Sequence, residues 1–241
     1  SRLKEITKTT PKCLVKAGDK TLLEHTLESL GRASVDSALL NVFYLAGNVK
    51  EFLAGHTCGG IEIHLSEEKS LLGTGGGIQN AEAFFADAES FFIHNSDVFS
   101  DIPLSEMLCF HENSRALATL AVINRPTKRP LLFTEDGLLA GWQSAETCSS
   151  EHVGESAGFS ALAFCGIQIV SREIFDFMRD ETPPFSIIRA YMNAVRAGRR
   201  IVAFRADDSY WIDAGTPERL AELREHIAAS LGQSSLHTKV S

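Results

Sequence analysis

Two aspartates, Asp97 and Asp213, each follow a run of residues whose pattern predicts a short buried strand. The runs are 91–93 for the first and 210–212 for the second. Carboxylates at neighbouring strand ends can share a hard divalent cation such as Mg²⁺, which itself binds phosphate oxygens. The structural alternative is that Asp97 caps the next segment and Asp213 tightens the turn at Gly215. Both interpretations are open from these residues alone.

The opening of the chain carries a concentration of positive charge. Arg2, Lys4, Lys8 and Lys12, together with the amino terminus, are opposed only by Glu5 in a protein whose formal net charge is −8. A local cationic site on an acidic protein indicates an anionic small molecule, because nucleic acid requires a broad basic surface. A solvated, charged arm is the alternative.

A glycine-rich stretch, Leu71-Leu-Gly-Thr-Gly-Gly-Gly77, stands directly before a predicted helix over residues 78–85. Glycines allow the backbone to approach a flat ligand or a phosphate closely, and the N–H groups at the start of a helix favour anions. Such a stretch can equally be a connector between two elements.

Size and composition are those of a globular protein with a buried core. The chain has 241 residues, 44% of them hydrophobic, and no apolar run approaching the roughly 20 residues that span a bilayer. Its five cysteines are scattered without a CxxC pair, which is typical of reduced thiols rather than of a disulfide framework or a zinc site. We therefore expect a cytoplasmic protein with neither nucleic acid nor membrane as a partner.

Strand-like and helix-like patterns alternate over the first two thirds of the chain, which predicts an α/β protein with a mixed, mostly parallel sheet and helices on both faces. Residues 131–142 then predict a small hairpin around Asp136-Gly137. The polar stretch 147–160 is predicted to be a loop over the site. A last helix over 216–229 has Thr216 as its N-cap. We expect residues 1–231 to form one catalytic domain and 232–241 a flexible tail.

Taken together, these segments resemble the sugar-phosphate nucleotidyltransferases. Ser1-Arg-Leu…Thr7…Pro11-Lys12 is similar to the end of the family signature G-x-G-[ST]-R-[LM]-x-P-x-T-x-x-x-P-K. The other matching segments follow in order along the chain: Gly73-Thr-Gly-Gly-Gly77, Asn95-Ser-Asp97, Phe164-Cys-Gly-Ile167 and Trp211-Ile-Asp-Ala-Gly-Thr-Pro217. The resemblance is strongest to bacterial N-acetylmuramate-1-phosphate uridylyltransferases and mannose-1-phosphate guanylyltransferase-like proteins.

The resemblance implies a three-layer α/β/α, Rossmann-like (GT-A-like) fold. It also implies an enzyme that transfers a nucleoside monophosphate from a nucleoside triphosphate to a sugar 1-phosphate, with Mg²⁺ as its cofactor. Arg2 and Lys12 would be catalytic, and Asp97 and Asp213 would hold the metal. The residues implied in substrate binding are Gly73, Thr74, Gly75, Gly76, Asn95 and Gly166.

The match begins inside the signature, so the resemblance implies that the first strand and most of the phosphate loop precede Ser1. We therefore expect an open sheet edge and impaired triphosphate binding. A catalytically inactive, nucleotide-sugar-sensing homologue is one alternative, and a nucleotide-sugar-using glycosyltransferase is another. A homo-oligomer is also left open.

Overall fold

The computed structural model describes residues 9–55, 60–154 and 158–237. Within these ranges the strands are β1 (Lys16–Ala17), β2 (Lys20–Thr21), β3 (Ser37–Val42), β4 (Glu62–Glu67), β5 (Ser90–His94), β6 (Val98–Ser100), β7 (Ala118–Ile123), β8 (Leu131–Phe133), β9 (Leu139–Ser144), β10 (Ser149–His152), β11 (Ser160–Ser171), β12 (Ile201–Arg205) and β13 (Trp211–Asp213). The α-helices are α1 (Leu22–Arg32), α2 (Ala46–Ala54), α3 (Gly73–Asn80), α4 (Leu104–Ser114), α5 (Ile187–Arg196) and α6 (Pro217–His237). Short 3₁₀ helices cover Lys12–Leu14, Glu82–Phe85 and Arg172–Phe177.

Helix α1 shows how local sequence sets these elements. Thr21 and Glu24 form a capping box, in which each side chain accepts the other residue's backbone N–H. Leu23, Leu27 and Leu30 recur at helical spacing and are buried. The helix therefore begins where its cap stands and presents one apolar face to the core.

The larger sheet has the strand order β10-β9-β8-β11-β7-β12, with β5 also paired to β11. Strand β11 is 12 residues long. One edge of β11 pairs with β7. The other edge pairs with β8 at residues 160–162 and with β5 at residues 167–171. The mixed α/β class is confirmed, and so is the hairpin, formed by β8 and β9.

More of the strand pairs in this sheet are antiparallel than the sequence predicted. Among its described strands only β7 and β12 run parallel. The reason is that β11 comes late in the chain and enters between earlier strands in the opposite direction. Strand and helix alternation predicts parallel pairing only where a crossover helix joins neighbouring strands, as between β3 and β4, which are parallel.

Helices cover both faces of the sheet, giving the expected three layers. In β7, Leu120 and Val122 belong to one buried cluster, while Ala121 between them belongs to the other. Helix α5 packs into the first cluster, and α1 and α4 pack into the second. A third cluster joins α6 and β13 to the residues around Val15.

The sheet is interrupted between β3 and β5. Among the described strands, β3 pairs only with β4, and β5 pairs only with β11. A cavity of about 670 Å³ lies between them, lined by residues of both strands and by apolar side chains of α1. Each of these two strands therefore has one edge that no described strand pairs.

Three boundaries differ from the sequence prediction. The predicted loop 147–160 contains β10, which pairs with β9. The glycine-rich stretch lies inside helix α3 rather than before it. Helix α6 runs to His237, eight residues past the predicted end at Ala229, while the division into a 1–231 domain and a 232–241 tail stays a prediction. None of the helices described is long and apolar enough to cross a membrane.

Candidate active site

The two aspartates singled out in the sequence lie side by side. Asp97 stands in the turn between β5 and β6, and β6 pairs antiparallel with β13 so that Val98 is opposite Asp213. The backbone N–H of Ala214 donates to the carbonyl of Asp97 at 2.8 Å. Two carboxylates that are far apart in the chain are thus fixed next to each other by main-chain hydrogen bonds.

The charge on Asp97 is set by three neighbours. Burial raises the pKa of Asp97, and the negative charge of Asp213 raises it further. The ammonium of Lys12 opposes both effects, with its Nζ 3.7 Å from Oδ2 of Asp97. The repulsion between these two like charges makes this a place where a further positive ion is stabilised.

Lys12 is positioned by the short turn that it begins. The N–H of Leu14 donates to the carbonyl of Pro11 at 2.9 Å, and Cys13 is buried beneath the turn. The Lys12 side chain itself is 56% exposed, so its ammonium can meet a ligand while it contacts Asp97. The other predicted catalytic cation, Arg2, lies outside the described residues.

Asp213 tightens the turn at Gly215, as the structural alternative predicted, and it also belongs to the acidic pair. Its Oδ1 accepts the N–H of Gly215 at 2.8 Å, which closes the turn leading into α6. Its Oδ2 lies 3.6 Å from Nη1 of Arg219. The turn therefore orients the carboxylate, since one oxygen is held by the backbone while the other faces a cation.

Gly166 and Asn95 are in direct contact. The register of β11 against β7 shifts between Phe164 and Gln168, and Gly166 lies in this bulge with φ +74°. The N–H of Asn95 donates to the carbonyl of Gly166 at 2.9 Å. A Cβ on Gly166 would lie 2.5 Å from the amide nitrogen of Asn95. The bulge thus explains the glycine and places both residues beside Asp97.

The predicted base-contacting residues have internal partners. Gly75 and Gly76 are buried, and the N–H of Gly75 donates to the carbonyl of Phe185 at 2.9 Å. A Cβ on Gly73 would lie 2.5 Å from that same carbonyl oxygen. The hydroxyl of Thr74 accepts the N–H of Ile187 at the start of α5. The glycines therefore allow close packing of α3 on this segment, and only Gly73 and Thr74 are exposed.

Sequence reasoning missed two cations of the site, Arg125 and Arg219. The guanidinium carbon of Arg125 lies 4.0 Å above the ring centroid of Trp211. Trp211 donates its indole N–H to the carbonyl of Cys165 at 2.7 Å. One signal for Arg219 was available: it is three residues after the N-cap Thr216, whose hydroxyl accepts its N–H. Nothing in the sequence pairs Arg125 with Trp211.

His94 is the last residue of β5 and stands three residues before Asp97. Its Nδ1 lies 2.9 Å from the carbonyl of Asn95, and the ring lines the cavity between β3 and β5. Burial lowers the pKa of His94 to about 4.

Comparisons with known proteins bear on the family of this chain. The family model described as nucleotidyl transferase matches residues 1–133. A mannose-1-phosphate guanyltransferase of Yarrowia lipolytica is 30% identical over 225 residues, which are 90% of this chain and 58% of that protein. The chain therefore spans less than two thirds of the length of the curated relatives that it matches first.

Solved structures agree in fold. HddC from Yersinia pseudotuberculosis, complexed with GMP-PN, has a TM-score of 0.71 at 19% identity and is covered over 90% of each chain. A UTP-bound UGPase from Acinetobacter baumannii has a TM-score of 0.74 at 15% identity, with 98% of this chain and 93% of that chain covered. The family model, which matches more than half of the chain, carries the assignment: this chain belongs to the nucleotidyl transferase family.

Proposed function

We propose that this protein transfers a nucleoside monophosphate from a nucleoside triphosphate to a sugar 1-phosphate, giving a nucleotide sugar and pyrophosphate. The observation that carries the proposal is the meeting of Asp97, Asp213 and Lys12 at one point, with the Lys12 ammonium 3.7 Å from Asp97. Two anionic substrates must be brought together in this reaction. A site that combines a carboxylate pair with a cation suits that task.

The acidic pair fits Mg²⁺ as the cofactor. Both side chains offer hard oxygen ligands, and the like charge of Asp213 raises the pKa of Asp97, a repulsion that a cation would relieve. No third acidic, histidine or cysteine side chain joins them in the described part of the chain. That suits Mg²⁺, which keeps several waters and binds substrate phosphates beside one or two carboxylates. When bound, the ion would neutralise charge on the phosphates of the two substrates.

The protein's own contribution is positioning and charge stabilisation. The phosphate oxygen of a sugar 1-phosphate is already a nucleophile, so no side chain has to remove a proton. Lys12 would stabilise the negative charge that develops on the α-phosphoryl oxygens during in-line attack. Arg2 would bind the leaving phosphates through its planar fork of donors.

The substrate contacts that we propose are based on which residues of the site are exposed. Gly73 and Thr74 are exposed, and we propose that they contact the base, while Gly75 and Gly76 keep α3 close to Phe185. We propose that the sugar lies against the bare backbone at Gly166, beside the Asn95 amide. The name of the Yarrowia lipolytica relative suggests GTP and mannose 1-phosphate as the first substrate pair to test.

A pyrophosphate-release assay tests the proposal directly. GTP, UTP, CTP and dTTP are each combined with Mg²⁺ and with a set of sugar 1-phosphates that includes mannose 1-phosphate, and the nucleotide sugar is identified by mass. We expect pyrophosphate and nucleotide sugar in equal amounts from at least one pair. Ligand binding without pyrophosphate from any pair would contradict the proposal and support the sensing homologue. In a parallel reaction with a nucleotide sugar in place of the triphosphate, release of a nucleoside diphosphate would support the glycosyltransferase alternative.

A further inference from the structure

Arg125 is held at the acidic pair by a flat apolar surface. It directly follows β7 and Asn124, and its guanidinium carbon lies 4.0 Å above the centre of the Trp211 ring. Trp211 is itself fixed by the hydrogen bond from its indole N–H to Cys165. A guanidinium stacked on a tryptophan keeps its in-plane N–H donors free for a planar or tetrahedral anion.

These donors have no protein partner in the described part of the chain. The Nε of Arg125 is buried without a hydrogen-bond acceptor, and no carboxylate forms an ion pair with the side chain. Other arginines of the protein do have such partners, for example Arg189 with Glu181 at 2.9 Å and Arg205 with Asp207 at 2.6 Å. A buried charged donor without a hydrogen-bond acceptor is unfavourable. This indicates that an anion from outside the chain accepts hydrogen bonds from the Arg125 guanidinium.

A second guanidinium lies nearby. Arg219 reaches Asp213 from the first turn of α6, with its Nη1 3.6 Å from Oδ2. Burial lowers the pKa of Arg125, and the like charge of Arg219 lowers it further. Two cations that repel each other are both stabilised when a doubly charged anion binds between them.

The cations contact different members of the acidic pair. Lys12 contacts Asp97, whereas Arg219 contacts Asp213. The proposed reaction brings two anions to that pair, and the Lys12 side is already assigned to the nucleoside triphosphate. Arg125 and Arg219, which lie at Asp213, are therefore available to bind the second anion, the sugar 1-phosphate.

We infer that Arg125 and Arg219 form a phosphate subsite that binds the phosphate monoester of the acceptor. The inference rests on the proposed function, and it names the two residues that recognise the sugar 1-phosphate by its charge. The Trp211 face fixes one guanidinium, and Asp213 holds the other. A lysine at position 125 would keep the charge and lose the paired, in-plane donors.

Binding of mannose 1-phosphate, measured by calorimetry in Mg²⁺ buffer, tests this subsite. Unphosphorylated mannose serves as the control ligand, and GTP is titrated separately. The variants are Arg125→Gln, Arg125→Lys and Arg219→Gln. The matched control is Arg129→Gln, because Arg129 is an exposed arginine paired with Glu146 on the hairpin.

We expect Arg125→Gln to weaken mannose 1-phosphate binding by about tenfold to a hundredfold, the loss of one or two charge-assisted hydrogen bonds. Arg125→Lys should recover part of that affinity, and Arg219→Gln should also weaken binding. Arg129→Gln should bind as the unaltered protein does, and GTP affinity should be unchanged in all four. Circular dichroism checks the folding of each variant, and Arg219→Gln, which changes a different element, keeps the test valid if Arg125→Gln is unfolded.

Three results would overturn the subsite: equal mannose 1-phosphate affinity in Arg125→Gln and the unaltered protein, loss of GTP rather than mannose 1-phosphate binding, or no saturable binding of mannose 1-phosphate at all. Failure of the proposed function would look different. In that case the unaltered protein would bind mannose 1-phosphate through Arg125 yet release no pyrophosphate.

Discussion

Asp97 and Asp213 are joined through the main chain as well as by charge. The N–H of Ala214 donates to the carbonyl of Asp97 at 2.8 Å, and Asp213 lies opposite Val98 in the β6–β13 pair. Backbone hydrogen bonds therefore fix the main-chain positions from which the two carboxylates extend. A site fixed in this way needs little reorganisation when its ligands bind.

Lys12→Ala should lower kcat more than it raises KM for either substrate. The ammonium is needed most when charge develops on the transferred phosphoryl group, and loss of one such donor costs on the order of a hundredfold in kcat. Steady-state kinetics with the best substrate pair measures both constants. Lys20→Ala is the control, because Lys20 is an exposed lysine that pairs with Glu28. A rise in KM with kcat unchanged would contradict a role for Lys12 in the transition state.

Gly166→Ala should destabilise the protein and disturb Asn95. A residue other than glycine at positive φ costs about 1–2 kcal/mol of unfolding free energy. Gly137 provides the comparison, because its φ is also positive, at +73°. A Cβ added to Gly137 would meet no described atom within 4 Å beyond its chain neighbours. A Cβ added to Gly166 would meet the side-chain amide of Asn95. Urea unfolding should show a larger loss for Gly166→Ala than for Gly137→Ala. Equal losses would mean that Asn95 moves aside without cost.

The sequence identified the acidic pair, because each aspartate follows a short apolar run and the matching segments occur in order. It also predicted Thr216 as an N-cap, whose hydroxyl accepts the N–H of Arg219, and the β8–β9 hairpin. Arg125 was missed because its stacking on Trp211 depends on how the end of β7 meets β13, a tertiary relationship that neither segment encodes by itself.

Two further differences have local physical reasons. Strand β10 is polar and lies at the edge of the sheet, and such strands have no alternating apolar pattern to reveal them. The glycine-rich stretch was predicted to stand before a helix, and glycine disfavours helices. In the fold, close packing of Gly75 on Phe185 stabilises a helix there that local propensity does not favour.

His111 should make stability fall as the pH is lowered. Its ring is buried, with Nδ1 2.9 Å from the hydroxyl of Thr119, and burial lowers its pKa below the ordinary value of 6.5. The unfolded chain therefore binds a proton that the folded chain does not, so stability is lost as the pH falls below that value. The slope from one group is at most about 1.4 kcal/mol per pH unit.

Unfolding free energies of the unaltered protein and of His111→Gln, measured between about pH 7 and about pH 5, test this. The variant should be less sensitive to pH. His94 contributes in the same direction because its pKa is also lowered by burial, so the difference between the two slopes is the quantity that reports on His111. Identical slopes would contradict the prediction.

Strands β3 and β5 should exchange amide hydrogens faster than β7. Each has one unpaired edge beside the cavity among the described strands, whereas β7 is paired on both edges, by β11 and β12. Hydrogen exchange read by mass spectrometry on peptides covering Ser37–Val42, Ser90–His94 and Ala118–Ile123 measures this. Protection of the first two peptides as slow as that of the third would show that the edges are covered in solution.

The most direct test is Mg²⁺-dependent pyrophosphate release by Asp97→Asn and Asp213→Asn. Asp136→Asn is the control, since Asp136 is exposed in the hairpin turn and asparagine suits that turn equally well. Both site variants should lose turnover by about a hundredfold or more while their melting temperatures stay close to that of the control. Turnover in Asp97→Asn equal to that of Asp136→Asn would contradict the paired-carboxylate site.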